Sequence, residues 1–260
     1  MLLLLPPSEG KATPTDGPPL DLAALSFPTL TRARRSVIRD VADLCRADPD
    51  RARRVLKLGP SQDDALAYNR RLRRAATLPA AGLYTGVLYE ALGYAKLSAA
   101  ARRRADGSVL VFSGLWGAVR LTDRLPHYKV PISTSLGVPL VSLWRHLLAE
   151  PLAAAAGGGL VVDLRSTPYA AAWRPSGELA RRTVRVAVLA ERRVDGHVVR
   201  QPVSHFNKAA KGRFARALVL DPTDEPADLL ARAHDAGLDG ELTTRLDRPH
   251  LELVEREVTP

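Results

Sequence analysis

The chain has 260 residues, 46% of them apolar and 25% charged, with a formal net charge of +10. This balance excludes a disordered or membrane-embedded chain, and the length is enough for one large packed domain. A single cysteine excludes an internal disulfide and fits a reducing compartment.

The opening Leu2–Leu5 run reads as a buried strand. It is too short for a signal-peptide core, has no basic residues before it and stops at Pro6-Pro7, so the expected location is the cytoplasm and no membrane partner is expected. The Gly10-Lys11 pair that follows invites a phosphate-loop reading. That reading fails because Leu5 stands where the first glycine belongs, and the Thr13–Gly17 stretch with Pro14 cannot start the helix that would hold phosphates. Ser8, Glu9 and Lys11 remain as a possible acid, base and cation at a strand end, or as a solvated loop with one Glu–Lys pair.

Thr31 to Ala47 has the spacing of an amphipathic helix, with Val37, Ile38, Val41, Leu44 and Cys45 on its apolar stripe and Arg32, Arg34, Arg35 and Arg39 off it. On that stripe Cys45 is a packed core thiol. Asp48-Pro49 opens a second helix to about Leu58, Gly59-Pro60-Ser61 breaks it, and Ser61 with Asp64 caps a third helix carrying Arg70, Arg71, Arg73 and Arg74. Two short helices around a glycine turn fit a helix-hairpin-helix, which offers backbone N–H groups and a helix N-terminus to a nucleic-acid phosphate. Three core helices with solvated arginine faces fit the same residues. Under the first reading Arg51, Arg53, Arg54, Lys57 and Arg70 contact nucleic acid or another anion.

Leu83-Tyr84-Thr85-Gly86 then leads into a helix expected over Val87 to Ala99. Tyr84 and Thr85 can donate hydrogen bonds where Gly86 turns the chain. Val109 to Phe112, bounded ahead by Asp106-Gly107, reads as a buried strand that runs into Ser113, Gly114 and Gly117 and then a dense polar set of Arg120, Asp123, Arg124, His127, Tyr128 and Lys129. Lys129 to Ser133 is expected to be strand-like, and Pro139 opens a helix holding Trp144 that ends at Gly157–Gly159.

Leu160 to Leu164 is a further strand, with Asp163 near its end and Arg165, Ser166 and Tyr169 after it. Strand ends of this kind line the ligand crevice of open α/β sheets, so Ser8–Lys11, Ser113–Asp123 and Asp163–Tyr169 are expected to converge on one cleft. Val184 to Arg192 and Val198 to Val203 form a hairpin around Asp195-Gly196. Ser204 to Asn207 precedes a helix from Lys208 to about Leu218, where Lys208 and Lys211 share a face with Arg213 nearby; this is an anion site or a solvated face. The histidines show no ligand spacing, so neither a metal nor a cofactor is expected.

Charge is distributed unevenly along these elements. Residues 31–74 hold thirteen Arg or Lys against six Asp, residues 196–220 five cations and no acid, and residues 221–260 eleven acids against four Arg. The pattern suggests a polyanionic partner, a phosphorylated ligand, or masking by the acidic segment. Of the 38 basic residues only six are lysines. In so arginine-rich a chain, Lys11, Lys129, Lys208 and Lys211 mark positions suited to a compact point charge or a titrating amine.

The expected fold is α/β, an α+β mixed sheet flanked by helices, in a single large domain over 1–260 with a basic helical lobe at about 31–78. The ordered motifs P-P-S-E-G-K, Y-T-G (Tyr84–Gly86), S-G-L-W-G-A-V-R-x-x-D (Ser113–Asp123), P-x-Y-K, D-L-x-S-x-x-Y (Asp163–Tyr169) and N-K-x-x-K-G-R-F (Asn207–Phe214) cover nearly the whole chain. Together they resemble the YaaA peroxide-stress-response family. The resemblance implies a cytosolic protein with a mixed sheet, a basic cleft and a helix-hairpin-helix element near Ala47–Arg74. It also implies a role in lowering damage from hydrogen peroxide and free iron, and binding to duplex or altered DNA. Carried onto this chain, Lys11, Tyr84, Arg120, Asp123, Lys208 and Arg213 would line the cleft.

Two functions follow. One is a stress-response protein that binds double-stranded DNA by shape through Arg51, Arg53, Arg54, Lys57, Arg70, Lys11, Arg120, Lys208, Lys211 and Arg213. The other is an enzyme on a phosphorylated or nucleoside-like small molecule, with Glu9, Lys11 and Asp123 catalytic and Ser8, Tyr84, Thr85, Ser113, Tyr128, Asp163, Ser166 and Tyr169 lining the cleft.

Overall fold

Four consecutive leucines can all be buried only where both faces of a strand are covered, as in the middle of a parallel sheet. Leu2–Leu5 occupies that place in the computed structural model, which describes residues 1–60, 62, 64–194, 197–201, 206–245 and 248–256. The sheet is built from β1 (Leu2–Leu5), β2 (Val109–Ser113), β3 (Gly117–Arg120), β4 (Val161–Asp163), β5 (Thr183–Val194), β6 (His197–Gln201), β7 (Asp239–Arg245) and β8 (Arg248–Arg256). Its order is β7-β8-β5-β4-β1-β2-β3, with β6 added to β5. Strands β8, β5, β4, β1 and β2 run parallel, whereas β3, β6 and β7 pair antiparallel with their neighbours. The mixed α/β sheet flanked by helices is therefore present, and the core residues of its strands and helices form one continuous cluster. Among the described residues no helix is long and apolar enough to cross a membrane.

The helices that matter for the site are α1 (Thr31–Ala47), α2 (Pro49–Leu56), α3 (Asp64–Arg70), α4 (Val87–Leu92), α5 (Ala99–Ser108), α6 (Leu140–Leu147), α7 (Ala149–Ala156) and α8 (Phe206–Leu220). Helix α8 crosses α4 at Gly212, where an added Cβ would overlap the Leu88 carbonyl oxygen. This glycine is thus a packing requirement.

Several elements differ from expectation. The predicted Val87–Ala99 helix stops at Leu92, is followed by a 3-10 turn at Tyr94–Lys96, and a new helix, α5, takes in Asp106 and Gly107. Ser98 caps α5 by accepting from the Ala101 N–H (3.2 Å), which sets the start of the new helix. No strand forms over residues 129–133. The β7–β8 hairpin is an addition to the expected elements, although Leu251 and Leu253 alternate with polar residues as in a half-buried strand.

Arg34 is the largest departure in α1. It lies on the buried stripe with Val37, Ile38, Val41 and Cys45, not off it. Its guanidinium donates to the carbonyls of Trp116 (3.0 Å), Ser26 (2.7 Å) and Ala118 (2.8 Å). Two of these carbonyls border or belong to β3, the edge strand, so Arg34 supplies donors that a further strand would otherwise provide.

Helices α2 and α3 both form, but a helix-hairpin-helix does not follow from them. Helix α2 closes at Lys57, which adopts φ 53°, and not at Gly59. The Lys57 N–H donates to Arg54 (3.2 Å) and the Leu58 N–H to Arg53 (2.9 Å), the paired bonds of a Schellman stop. The first helix ends at Leu56 and the next begins at Asp64, a separation longer than a tight glycine turn. Ser61 of the expected capping pair, the Asp195-Gly196 turn and Ser204 lie outside the described residues.

Candidate functional site

Strands β1, β2 and β4 are parallel neighbours, so their C-terminal ends bring Pro6–Lys11, Ser113–Trp116 and Asp163–Arg165 to one edge of the sheet. In-register neighbours share a face. Leu4, Leu110, Asp163 and Arg185 are in register, so they lie on one face with Phe112; Leu5 and Val111 lie on the other with Ser113. The polar residues consequently form two clusters at the same edge.

The first cluster surrounds Lys11. Pro6 and Pro7 end β1, and the chain then folds back against Leu83–Thr85: Ala12 donates to the Leu83 carbonyl (2.8 Å), Thr85 to the Gly10 carbonyl (3.2 Å), and the Ser8 hydroxyl to the Thr85 carbonyl. This pairing sets Lys11 opposite Tyr84. Lys11 Nζ donates to the Ser8 carbonyl (2.8 Å) and lies 4.6 Å from the Tyr128 ring centre and 5.7 Å from that of Tyr84. The Tyr128 hydroxyl is 2.8 Å from the Tyr84 hydroxyl and 2.7 Å from Ser113 Oγ. Ser113 Oγ in turn accepts from the Leu115 and Trp116 N–H groups (3.2 Å each). Tyr89 stacks on Tyr84 and donates to the Pro6 carbonyl (2.7 Å).

Gly114 lets this arrangement close, because a Cβ there would overlap the Val130 carbonyl of the segment carrying Tyr128. Asn69 of α3 clamps that segment: its side chain accepts from the Lys129 N–H (3.1 Å) and donates to the Lys129 carbonyl (2.9 Å). One residue earlier, Tyr68 packs on His127 at 4.2 Å between ring centres.

Burial, and then the Lys129 charge, lowers the Lys11 amine to about 7 against a smaller opposing pull from Glu9. Burial also holds Tyr84, Tyr89 and Tyr128 well above the ordinary tyrosine value, so they remain protonated. Tyr169 is pushed up to about 12 by burial, with Glu9 adding to the effect. His127 is lowered, chiefly by burial, with Lys11 and Lys129 contributing. The result is an amine that gives up its proton more readily than an ordinary lysine, beside hydroxyl groups able to donate.

The second cluster surrounds Asp163. Arg165 donates to both carboxylate oxygens, through Nε (2.8 Å) and Nη2 (2.7 Å), and its backbone N–H adds a third bond (3.0 Å). Its guanidinium lies 4.2 Å from the Phe112 ring centre and donates to the carbonyls of Tyr169 (3.2 Å) and Trp173 (3.0 Å). Arg185 Nη1 comes within 2.9 Å of Asp163 Oδ2. Although burial alone would raise Asp163, these two arginines outweigh it and hold the carboxyl below its usual range. Lys211 of α8 feels Arg185 and Asp163, and burial followed by Arg185 lowers it to about 8. Tyr169 links the clusters: its carbonyl is bound by Arg165, and its phenol belongs with the tyrosines around Lys11.

Other expected site residues go elsewhere. Both Asp123 oxygens are occupied, by the Ser26 N–H and hydroxyl (2.9 Å each) and by the Arg120 N–H (2.9 Å). Arg120 sits opposite Leu110 because β3 runs antiparallel to β2, and it donates to Gly107 (2.6 Å) at the far end of the sheet from Ser113. Lys208 and Thr85 are exposed, and Ser166 begins the short Thr167–Ala170 helix. Arg213 donates to the Ala236 carbonyl (3.2 Å). Glu9 is exposed above Lys11. Among the described residues no three His, Cys, Asp or Glu side chains gather as a metal site requires.

The basic lobe presents a groove of about 560 Å³ between α1 and the end of α3, lined by Arg39, Arg46, Arg70, Arg71, Arg73 and Arg74 with Asp43. Arg46 pairs with Asp43 (2.8 Å), and Arg70 donates to the Cys45 carbonyl (2.8 Å). Arg71, Arg73 and Arg74 project into solvent. Arg51, Arg54 and Lys57 on α2 are exposed, Arg53 pairs with Asp50 (2.8 Å), and none of the four lines this groove. Helix α3 joins the two regions, with Tyr68 and Asn69 against His127–Lys129 and Arg70 at the groove. Arg39, Arg46, Arg71, Arg73, Arg74, Arg165 and Arg185 were not among the expected site residues. A charged Arg185 within the apolar run Val184 to Val188 was the clearest available signal.

Comparison with known proteins gives a consistent result. A family model described as "Peroxide stress protein YaaA" matches residues 1–239. A UPF0246 protein of Streptomyces coelicolor is 50% identical over 250 residues, covering 93% of this chain and 92% of that one. A UPF0246 protein of Corynebacterium efficiens is 38% identical over 253 residues, covering 93% and 95%. A third, from Cereibacter sphaeroides, is 31% identical over 246 residues, covering 91% and 92%.

Proposed function

The chain belongs to the YaaA family of peroxide stress proteins, and on that premise we propose that it limits peroxide- and iron-driven damage in the cytoplasm by binding duplex DNA through its basic lobe. The observation that carries this reading is the groove beside α1 and α3: six arginines line it against one acid, and three of them stand in solvent. Such a surface suits a polyanion, since each phosphate neutralised releases condensed counterions. A cluster of exposed arginines grips phosphates, so duplex shape and backbone are what the lobe would recognise. Arg51, Arg54 and Lys57 on α2 extend the same positive field.

Fluorescence anisotropy of a labelled duplex across a salt series tests this. The Arg71→Ser/Arg73→Ser/Arg74→Ser variant should bind at least about tenfold more weakly, with the slope of log affinity against log salt reduced by roughly one for each phosphate no longer neutralised. Unchanged affinity and slope would remove the proposal.

The Lys11 cluster favours a second reading, an enzyme on a phosphorylated or nucleoside-like small molecule. An amine lowered to about 7 beside protonated tyrosines is more than phosphate binding needs. In this role Lys11 would act as base or nucleophile, Tyr84 and Tyr128 would orient or donate, and Glu9 would be the nearby acid. Under this reading Lys11→Met abolishes turnover and leaves duplex affinity unaltered.

A further inference from the structure

The Asp163 cluster contains three cations and one anion. Arg165 is engaged through all three of its nitrogens, which bind Asp163, Tyr169 and Trp173. Asp163 is engaged too, because Oδ1 accepts two bonds from Arg165 and Oδ2 accepts a third while facing Arg185. Arg185 Nη1 is buried and, despite its 2.9 Å approach to Asp163, makes no hydrogen bond. Lys211 is 8% exposed and has no hydrogen bond or ion pair among the described residues. Among those residues Asp163 is also the one carboxylate that acts on it. The cluster therefore carries two more positive charges than negative: Arg185, partly exposed, shares the single carboxylate with Arg165, and Lys211 is buried without a pair, where an unpaired charge is costly.

A compact dianion would balance them. One helical turn before Lys211, on the same face of α8, Asn207 donates to the Val188 carbonyl (3.4 Å) while its Oδ1 is buried without a partner among the described residues. The orphaned acceptor requires a donor, which the phosphoryl group of a monoester dianion lacks and a ligand hydroxyl supplies. We propose that Arg185, Lys211 and Asn207 form a binding site for a hydroxyl-bearing phosphate monoester, with the phosphate held by the two cations and a hydroxyl donating to Asn207. The site lies under α8 on the Asp163 face of the sheet. It shares no residue with the arginine groove or with the Lys11 cluster, so it stands independently of both readings above.

The charge balance also predicts proton uptake. Lys211 feels Arg185 of β5 and Asp163 of β4, and its amine is lowered to about 8. An arriving dianion reverses the local sign and restores the proton.

Thermal denaturation at pH 7 and constant ionic strength, with chloride, dimethyl phosphate, inorganic phosphate and ribose 5-phosphate as probes, tests the site. Ribose 5-phosphate should raise the midpoint most, by about 5–10 °C at a hundred times its dissociation constant, with inorganic phosphate next and the diester and chloride without effect. Lys211→Met should remove the rise while the variant itself remains folded, since it loses a buried charge. Titration calorimetry of the wild-type protein at pH 8 in two buffers of different ionisation enthalpy should show net proton uptake on binding. Equal shifts with chloride or diester, a full shift in Lys211→Met, or binding without proton uptake would each overturn the proposal.

Discussion

Arg34 and Arg165 are almost completely buried, whereas Arg71, Arg73 and Arg74 stand in water. The residue type is the same and the use is opposite. Inside, each guanidinium meets fixed carbonyl or carboxylate acceptors: three carbonyls around Arg34, and Asp163 with two carbonyls around Arg165. Outside, the three arginines are exposed and have no such acceptors among the described residues. In an arginine-rich chain, the acceptors around a guanidinium therefore say more about its role than its presence does.

The comparison can be broken most directly at Arg34. Arg34→Met should destabilise the fold by about 3–5 kcal/mol, because it leaves two buried carbonyls and the part-buried Ser26 carbonyl without their donor and takes from Asp123 the cation that faces it. Urea denaturation measures this; a loss below about 1 kcal/mol would mean that water replaces the guanidinium.

A buried cation without acceptors should behave in the opposite way. Lys211, lowered from 10.5 to about 8, binds its proton more weakly in the folded than in the unfolded chain. Its penalty is fully present below about 8 and is relieved as pH rises toward 10.5. In phosphate-free buffer Lys211→Met should accordingly be more stable than wild type at pH 7, by up to about 3 kcal/mol, with the gap closing across that window. Asp163 has the reverse sign: its carboxyl is held low by Arg165 and Arg185, so its contribution is present at neutral pH and lost as the folded group protonates in acid. Stability curves against pH for wild type and Lys211→Met check both signs.

The smallest effect belongs to the exposed set. Arg71→Ser and Arg73→Ser should each change folding stability by less than about 0.5 kcal/mol while weakening duplex binding. A large stability loss at either would show that these arginines are structural after all.

Much of the architecture was readable from local pattern. The all-leucine opening implied a doubly covered strand, Val109 to Phe112 and Leu160 to Leu164 implied two more, and polar residues after each implied a shared edge. Lys11, Tyr84, Ser113, Tyr128 and Tyr169 do meet there. What could not be read was face and direction. The antiparallel return of β3 sends Arg120 to the other end of the sheet, and the alternation of side chains sets Asp163 on the face opposite Ser113. Pairing partners decide both, and they lie far apart in sequence. Gly59 was an equally reasonable place to end α2, but the Schellman bonds form at Lys57.

The sequence by itself determined the mixed α/β class, the family and the positions of the hydrophobic segments, because periodicity and ordered motifs are local properties of the chain. Only the tertiary structure decided which cations are engaged and which are not. A guanidinium or amine of given sequence context becomes structural or available according to the acceptors that distant segments bring to it, as Trp116 and Ala118 do for Arg34 and as none of the described residues does for Lys211.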